Sequence, residues 1–192
     1  DSNNVMGNTG PSVSDKFVFF GFGSGEIKAA FRKGGLVLWT ATLAGGRSGQ
    51  SASTVEDIGA TPVISESRVY AANTSGRTVA LNRDSGKRLW SAPYGTSSSI
   101  WPSGNSIFFI NDLSELIRLD ASTGDFIWAS ELPGYLDETK NRKKEVVTHH
   151  GPIMAGGKLT LASSDGKLRQ FNPETGAELH SFVIPNGATT NP

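Results

Sequence analysis

Four stretches of this chain superimpose on one another, and a repeat of that kind constrains the fold more tightly than any single motif. AAFRKGGLVLW ends at Trp39, ALNRDSGKRLW at Trp90, RLDASTGDFIW at Trp128 and QFNPETGAELH at His180. Four residues before each end stands a glycine: Gly35, Gly86, Gly124 and Gly176. One residue before each end is aliphatic (Leu38, Leu89, Ile127, Leu179), and nine residues before lies a further apolar residue (Ala30, Leu81, Leu119, Phe171). A last match falls twenty-one residues before, at Val18, Val69, Ile107 and Leu159.

Prolines mark the other end of each unit, at Pro11, Pro62, Pro102 and Pro152, and Pro192 opens a fifth unit. Between proline and terminal aromatic the pattern predicts four short strands. In the second unit these are one near Pro62, then Arg68–Asn73, Arg77–Asn82 and Arg88–Ala92. Gly25, Gly76 and Gly166 supply the positive φ that short hairpins require, while the third unit has Ser114 at that place. Four antiparallel strands in each unit of this length is the signature of a propeller blade. The chain therefore reads as an all-β propeller segment with blades over about 11–42, 61–93, 101–132 and 151–185, half of an eight-bladed ring. A β-sandwich would not repeat its sequence around a fixed tryptophan. Trp39, Trp90 and Trp128 are then structural, filling the space between stacked blades. His180 takes the same place as a wedged core or rim histidine.

Composition narrows the function. The 18 basic and 18 acidic residues cancel, so no global field favours nucleic acid or anionic membrane. There is no cysteine, which removes disulfides, thiolate metal sites and a cysteine nucleophile. No apolar run approaches the roughly 18 residues of a membrane helix. The chain starts at Asp1 with no leader, so it is expected to be a processed or excised product of a longer protein.

The ending Thr-Gly-x-x-x-Trp, carried by Asp120, Thr123, Gly124 and Trp128 and in variant form by Asn82, Ser85, Gly86 and Trp90, resembles the blade motif of the pyrroloquinoline-quinone-type propellers. That resemblance implies either a quinone-dependent dehydrogenase or a non-enzymatic eight-bladed relative. A narrower match covers about residues 5–132, with the last blade matching at motif level. It is carried by Gly7-Asn8-Thr9-Gly10-Pro11, Gly25-Glu26-Ile27-Lys28-Ala29, Asp57-Ile58-Gly59-Ala60-Thr61-Pro62 and Thr78-Val79-Ala80-Leu81. This pattern is similar to the BamB family, propeller lipoproteins of the outer-membrane β-barrel assembly machine.

The BamB resemblance implies a periplasmic, non-enzymatic scaffold without cofactor, anchored by a lipid outside this segment and bound to a POTRA domain of BamA. It places the partner contacts on two loops, at Val5 and Met6 and at Glu56 and Asp57. Asp57 matches the first of two family aspartates, whereas Gly59 stands at the second. Val5 keeps an apolar position, and Met6 stands where the family carries arginine.

Other features are weighed against this reading. A quinone dehydrogenase needs calcium, an aspartate base and usually a cysteine pair, and the sequence offers no such cluster. His149 and His150 are adjacent on an extended segment and so point to opposite faces, which opposes a shared metal ion. The run Lys140-Asn141-Arg142-Lys143-Lys144 has acids on both sides and no aromatic platform, as a solvated loop would. The long links 43–60 and 133–150 read equally as functional loops and as disordered ones. Finally, half a ring leaves its first and last blades with open faces, expected at Val18 with Leu38 and at Leu159 with Leu179. Such faces favour self-association.

Overall fold

A computed structural model describes residues 10–43, 58–136 and 146–184. Four four-stranded antiparallel sheets follow one another along the chain, each a simple meander. The first holds β1 (Ser12–Val13), β2 (Phe17–Gly21), β3 (Glu26–Phe31) and β4 (Val37–Thr42). The second holds β5 (Val63–Ser65), β6 (Arg68–Asn73), β7 (Arg77–Asn82) and β8 (Arg88–Ala92). The third comprises β9 (Trp101–Ser103), β10 (Ser106–Ile110), β11 (Glu115–Asp120) and β12 (Phe126–Glu131). The fourth comprises β13 (His149–Ala155), β14 (Lys158–Ser163), β15 (Lys167–Phe171) and β16 (Glu178–Val183). The first strands of neighbouring sheets approach one another, β5 to β9 and β9 to β13, so they lie at the hub and the fourth strands at the rim.

The turns follow from local chemistry. Between the second and third strands φ is positive at Gly25, Gly76 and Gly166, and Ser114 adopts φ 59° at the same place. The Ser114 turn is secured by Asn111, whose Oδ1 accepts from Leu113 N and Glu115 N at 3.0 and 2.8 Å. Between the third and fourth strands a side-chain oxygen organises the loop. Asn82 Oδ1 accepts from Asp84 N and Ser85 N, Asp120 Oδ1 from Ser122 N and Thr123 N, and Asn172 Oδ1 from Glu174 N and Thr175 N. These are Asx turns, which hand the chain to a glycine at positive φ. Asp120 is held below the usual carboxylate pKa by these bonds, that from the Ser122 hydroxyl first.

The core is divided among the three junctions between sheets, and each junction uses opposite faces of its two sheets. Between the first and second sheets Phe19, Ile27, Ala29 and Trp39 meet Val69, Ala71, Val79 and Leu81. Between the second and third, Tyr70, Ala80 and Trp90 meet Ile107, Phe109, Ile117 and Leu119. Between the third and fourth, Phe108, Leu116 and the half-buried Trp128 meet Leu159, Leu161 and Phe171.

Each of the repeat tryptophans Trp39, Trp90 and Trp128 lies on the glycine turn of the next sheet. A methyl group at Gly86 would stand 2.6 Å from the Trp39 ring, one at Gly124 2.6 Å from Trp90, and one at Gly176 2.7 Å from Trp128. The indole Nε1 then donates to a carbonyl of the same turn: Trp39 to Arg83 at 2.9 Å, Trp90 to Ala121 at 3.0 Å and Trp128 to Pro173 at 3.2 Å. The glycine thus serves twice, supplying positive φ and leaving room for a ring.

Two expectations for the ends need correction. Leu159 is fully buried in the junction between the third and fourth sheets, because its register partner Phe171 shares that face. The open face of the fourth sheet is the other one, carrying Thr160, Gln170 and His180. His180 is exposed rather than wedged, since among the described residues no further sheet stands against it. Leu38 packs partly against the first junction, while Val18 is half-buried and Leu179 remains 40% exposed.

Candidate partner-binding site

Val5, Met6, Glu56 and Asp57 lie outside the described residues. Their flanks do not, and these flanks come together. At the first sheet's inner edge the Ser12 hydroxyl donates to the Pro62 carbonyl, and a methyl group at Gly10 would meet Thr61 Oγ1 at 4.0 Å. Ile58 is 1% exposed and joins the core between the first two sheets, passing so close to Gly21 that a Cβ there would lie 2.8 Å from Ile58 Cγ2. The chain immediately after Glu56-Asp57 and the chain soon after Val5-Met6 are therefore fixed side by side on the hub end of one junction.

Gly59 explains its own departure from the two-aspartate pattern. A Cβ at that position would stand 2.6 Å from Thr74 Cγ2 and 3.1 Å from the Thr96 carbonyl. There is no room for a carboxylate. Thr96 belongs to a tight link, its hydroxyl bonded to the Ile110 carbonyl and accepting from Ser98 N at 2.8 Å.

The remaining candidates separate in the structure. His149 and His150 pair with Ser163 and Ala162 on β14 and point to opposite faces. His149 Nε2 donates to the Pro133 carbonyl at 3.0 Å, which leaves Nδ1 to accept from the Ser163 hydroxyl at 2.7 Å. Ser163 in turn accepts from Arg169 Nη1 at 2.7 Å, and Arg169 forms a two-pronged ion pair with Asp165. Burial holds the His149 pKa below the ordinary imidazole value, the Pro133 bond opposes this, and the Arg169 charge adds to the depression. For Asp165 burial alone would raise the pKa, but the Arg169 bonds and charge outweigh it and leave the carboxyl below its usual range. This network fastens Pro133, at the start of the long link, to the fourth blade. Sequence reasoning missed it; the signal was Ser163, Asp165 and Arg169 at alternate positions around one hairpin, which places them on one sheet face. The run Lys140–Lys144 lies outside the described residues.

At the hub an open cleft of about 380 Å³ lies between the second and third blades, lined by Val63, Ile64, Ser65, Ile100, Trp101 and Pro102. A quinone held with calcium needs several charged or amide oxygens around the ion. This lining supplies no carboxylate or side-chain amide oxygen, and no group of three or more His, Cys, Asp or Glu residues is gathered among the described residues. The described residues of this cleft do not fit that cofactor. Among the described residues no helix is long and apolar enough to cross a membrane.

Known proteins resemble this chain in the same terms. The family model described as outer membrane protein assembly factor BamB matches residues 1–130. The outer membrane protein assembly factor BamB of Francisella tularensis is 28% identical over 177 residues, 92% of this chain and 36% of that protein. The crystal structure of BamB from Moraxella catarrhalis aligns with a TM-score of 0.70 at 18% identity, covering 95% of this chain and 54% of that one. The quinohemoprotein alcohol dehydrogenase from Comamonas testosteroni also aligns, with a TM-score of 0.67 at 14% identity over 92% of this chain and 35% of the other. At such identities the structural likenesses establish the propeller fold alone. The chain spans well under two thirds of its curated relatives, from 33% of the Kangiella koreensis protein to 46% of that of Moranella endobia.

Proposed function

The chain belongs to the BamB family of outer membrane protein assembly factors, and from that membership we propose that it is a non-enzymatic scaffold that holds a POTRA domain of BamA in the periplasm and supports β-barrel insertion. The full-length protein would reach the outer membrane by a lipid anchor lying outside this segment. The observation that carries the reading is the close approach of the described segments that follow the two candidate loops. Gly10–Ser12 and Ile58–Pro62 are fixed against each other by the Ser12 bond to Pro62 and by the burial of Ile58. The reading assigns the partner contacts to Val5 and Met6, an apolar pair, and to Glu56 and Asp57, an acidic pair. A rigid scaffold that displays loops from its ends is how propellers commonly bind other proteins.

The fold does not separate this from catalysis, because propellers host both. The cleft between the second and third blades offers no carboxylate or side-chain amide to a quinone–calcium pair. The experiment is binding of a cognate POTRA fragment by the Asp57→Arg variant. A charge at an interface rim acts chiefly on association rate and salt dependence. Reversal of Asp57 should therefore weaken binding, most at low salt, while the thermal melt stays in place. Affinity unchanged across a salt series would reject the assignment.

A further inference from the structure

The links into the second and fourth blades are long and the link into the third is short, and one position of the repeat treats them differently. Asn73, Asn111 and Ser163 each stand four residues after the matched apolar residue (Val69, Ile107, Leu159), at the head of the hairpin between the second and third strands. In the second blade Asn73 is fully buried. Its Oδ1 accepts from Arg77 N at 2.8 Å, closing its own hairpin, while its Nδ2 crosses to the first blade and donates to the Leu43 carbonyl at 3.4 Å. Leu43 opens the link 43–60. In the fourth blade Ser163, also fully buried, acts through His149. The Pro133 carbonyl, at the start of the link 133–150, accepts from His149 Nε2, and His149 Nδ1 rests on the Ser163 hydroxyl. In the third blade, which the short link enters, Asn111 turns inward instead. Its Oδ1 accepts from Leu113 N and Glu115 N, its Nδ2 donates to Glu115 Oε2 at 2.6 Å, and among the described residues its side chain bonds nothing on the preceding blade.

The far end of the link 43–60 returns to the same corner. Ile58 is buried in the junction that also holds Leu43, and a Cβ on Gly59 would strike the side chain of Thr74, the residue after Asn73, at 2.6 Å. Leu43 is gripped from both blades, its N–H by the Gly25 carbonyl at 2.8 Å and its carbonyl by Asn73. The two described ends of this link are therefore fixed at one buried corner of the second blade. Fixing the ends of a segment in advance removes conformational entropy that would otherwise be lost when the segment engages a partner.

We propose that this repeat position staples a long link to the blade that follows it, and that Asn73 is accordingly a positioning residue for the link that carries Glu56 and Asp57. Its consequence for binding rests on the POTRA reading above; the staple itself does not.

The test uses the full 192-residue chain. Asn73→Asp keeps an oxygen for Arg77 N and removes the donor to Leu43. Asn73→Ser, too short to reach Leu43, does the same without a charge and serves if the carboxylate prevents folding. Asn111→Ser is the matched control, at a residue that is also buried but bonds only within its own hairpin. Amide hydrogen exchange followed by NMR reads the staple with no partner present. Leu43 N–H should exchange about two- to tenfold faster in the Asn73 variants, the range that one hydrogen bond supplies, and at the parent rate in Asn111→Ser. Association with a cognate POTRA fragment should slow by a similar factor in the Asn73 variants, with Asp57→Arg run beside them. Leu43 exchange that stays at the parent rate, or that rises equally in Asn111→Ser, would overturn the staple. Faster Leu43 exchange with an unchanged association rate, in a series where Asp57→Arg does weaken binding, would overturn the positioning role. Binding indifferent to Asp57→Arg would reject the POTRA reading instead, and the exchange rates would still decide the staple.

Discussion

Truncation of Trp90 to alanine isolates the contact that recurs between blades. The side chain is 8% exposed, lies against Tyr70 with ring centroids 5.9 Å apart and covers the Gly124 turn. A buried indole removes roughly 200 Å² from water, which at about 25 cal/mol per Å² sets an upper bound near 5 kcal/mol. The lost hydrogen bond adds little, because the Ala121 carbonyl still accepts from the Tyr70 hydroxyl at 3.1 Å and is not left unsatisfied. Collapse of Tyr70 into the space would recover part of the cost, so Trp90→Ala should lose about 3–5 kcal/mol, in line with other large-to-small core changes. For a chain of this size that corresponds to a fall in Tm of roughly 6–20 °C. Leu36→Ala is the matched surface control, at a residue 70% exposed; it should stay within about 0.5 kcal/mol of the parent. Both can be read by circular dichroism during heating, with urea titration to check that the m-value is unchanged. A Trp90→Ala melt within about 2 °C of the parent would place the indole's contribution at the level of a surface residue. The account of the junctions would then fail.

Two further outcomes follow from the same geometry. Gly124→Ala should cost more than Gly104→Ala: both glycines have positive φ, 78° and 56°, but only at Gly124 would the methyl strike an indole, so equal losses in urea titration would remove the steric half of the argument. His149 is neutral in the fold with a depressed pKa, so the folded state binds fewer protons than the unfolded one once pH drops below about 6.5, and stability should decline from there downward. Melts between about pH 6.5 and 5, above the carboxylate range, should show that decline in the parent and lose most of it in His149→Gln; an equal slope in both would assign it elsewhere.

Much of this fold was legible because the repeat encodes it several times over. The strands Arg68–Asn73, Arg77–Asn82 and Arg88–Ala92 coincide with β6, β7 and β8, since turn residues and alternating apolar positions bound them on both sides. Ser114 could be located as a departure because its neighbours in the repeat are glycines, and the structure gives it the same positive φ. The error at Leu159 came from reading apolar positions without their face. In a sheet buried on both sides, alternation no longer distinguishes in from out, and only register could assign Leu159 inward and Thr160 outward. The network from Arg169 to Pro133 was only partly legible. Ser163, Asp165 and Arg169 share one hairpin, but His149 lies on β13 and Pro133 on the link before it, and nothing in the sequence near those two marks them as partners.

The candidate interface was readable only through resemblance, and the structure adds a physical argument about what can vary there. Ile58, Gly59 and Ala60 are fixed by packing: Ile58 is core, Gly59 has no space for a side chain, and Ala60 is 3% exposed. A second carboxylate at Gly59 would have to displace Thr74 or the Thr96 carbonyl, and Thr96 is tied into the neighbouring blade through Ile110. Substitution there would therefore disturb the junction before it reached a partner. The absence of a carboxylate at position 59 is thus imposed by the close approach of Thr74 and of the Thr96–Ser97 backbone to Gly59.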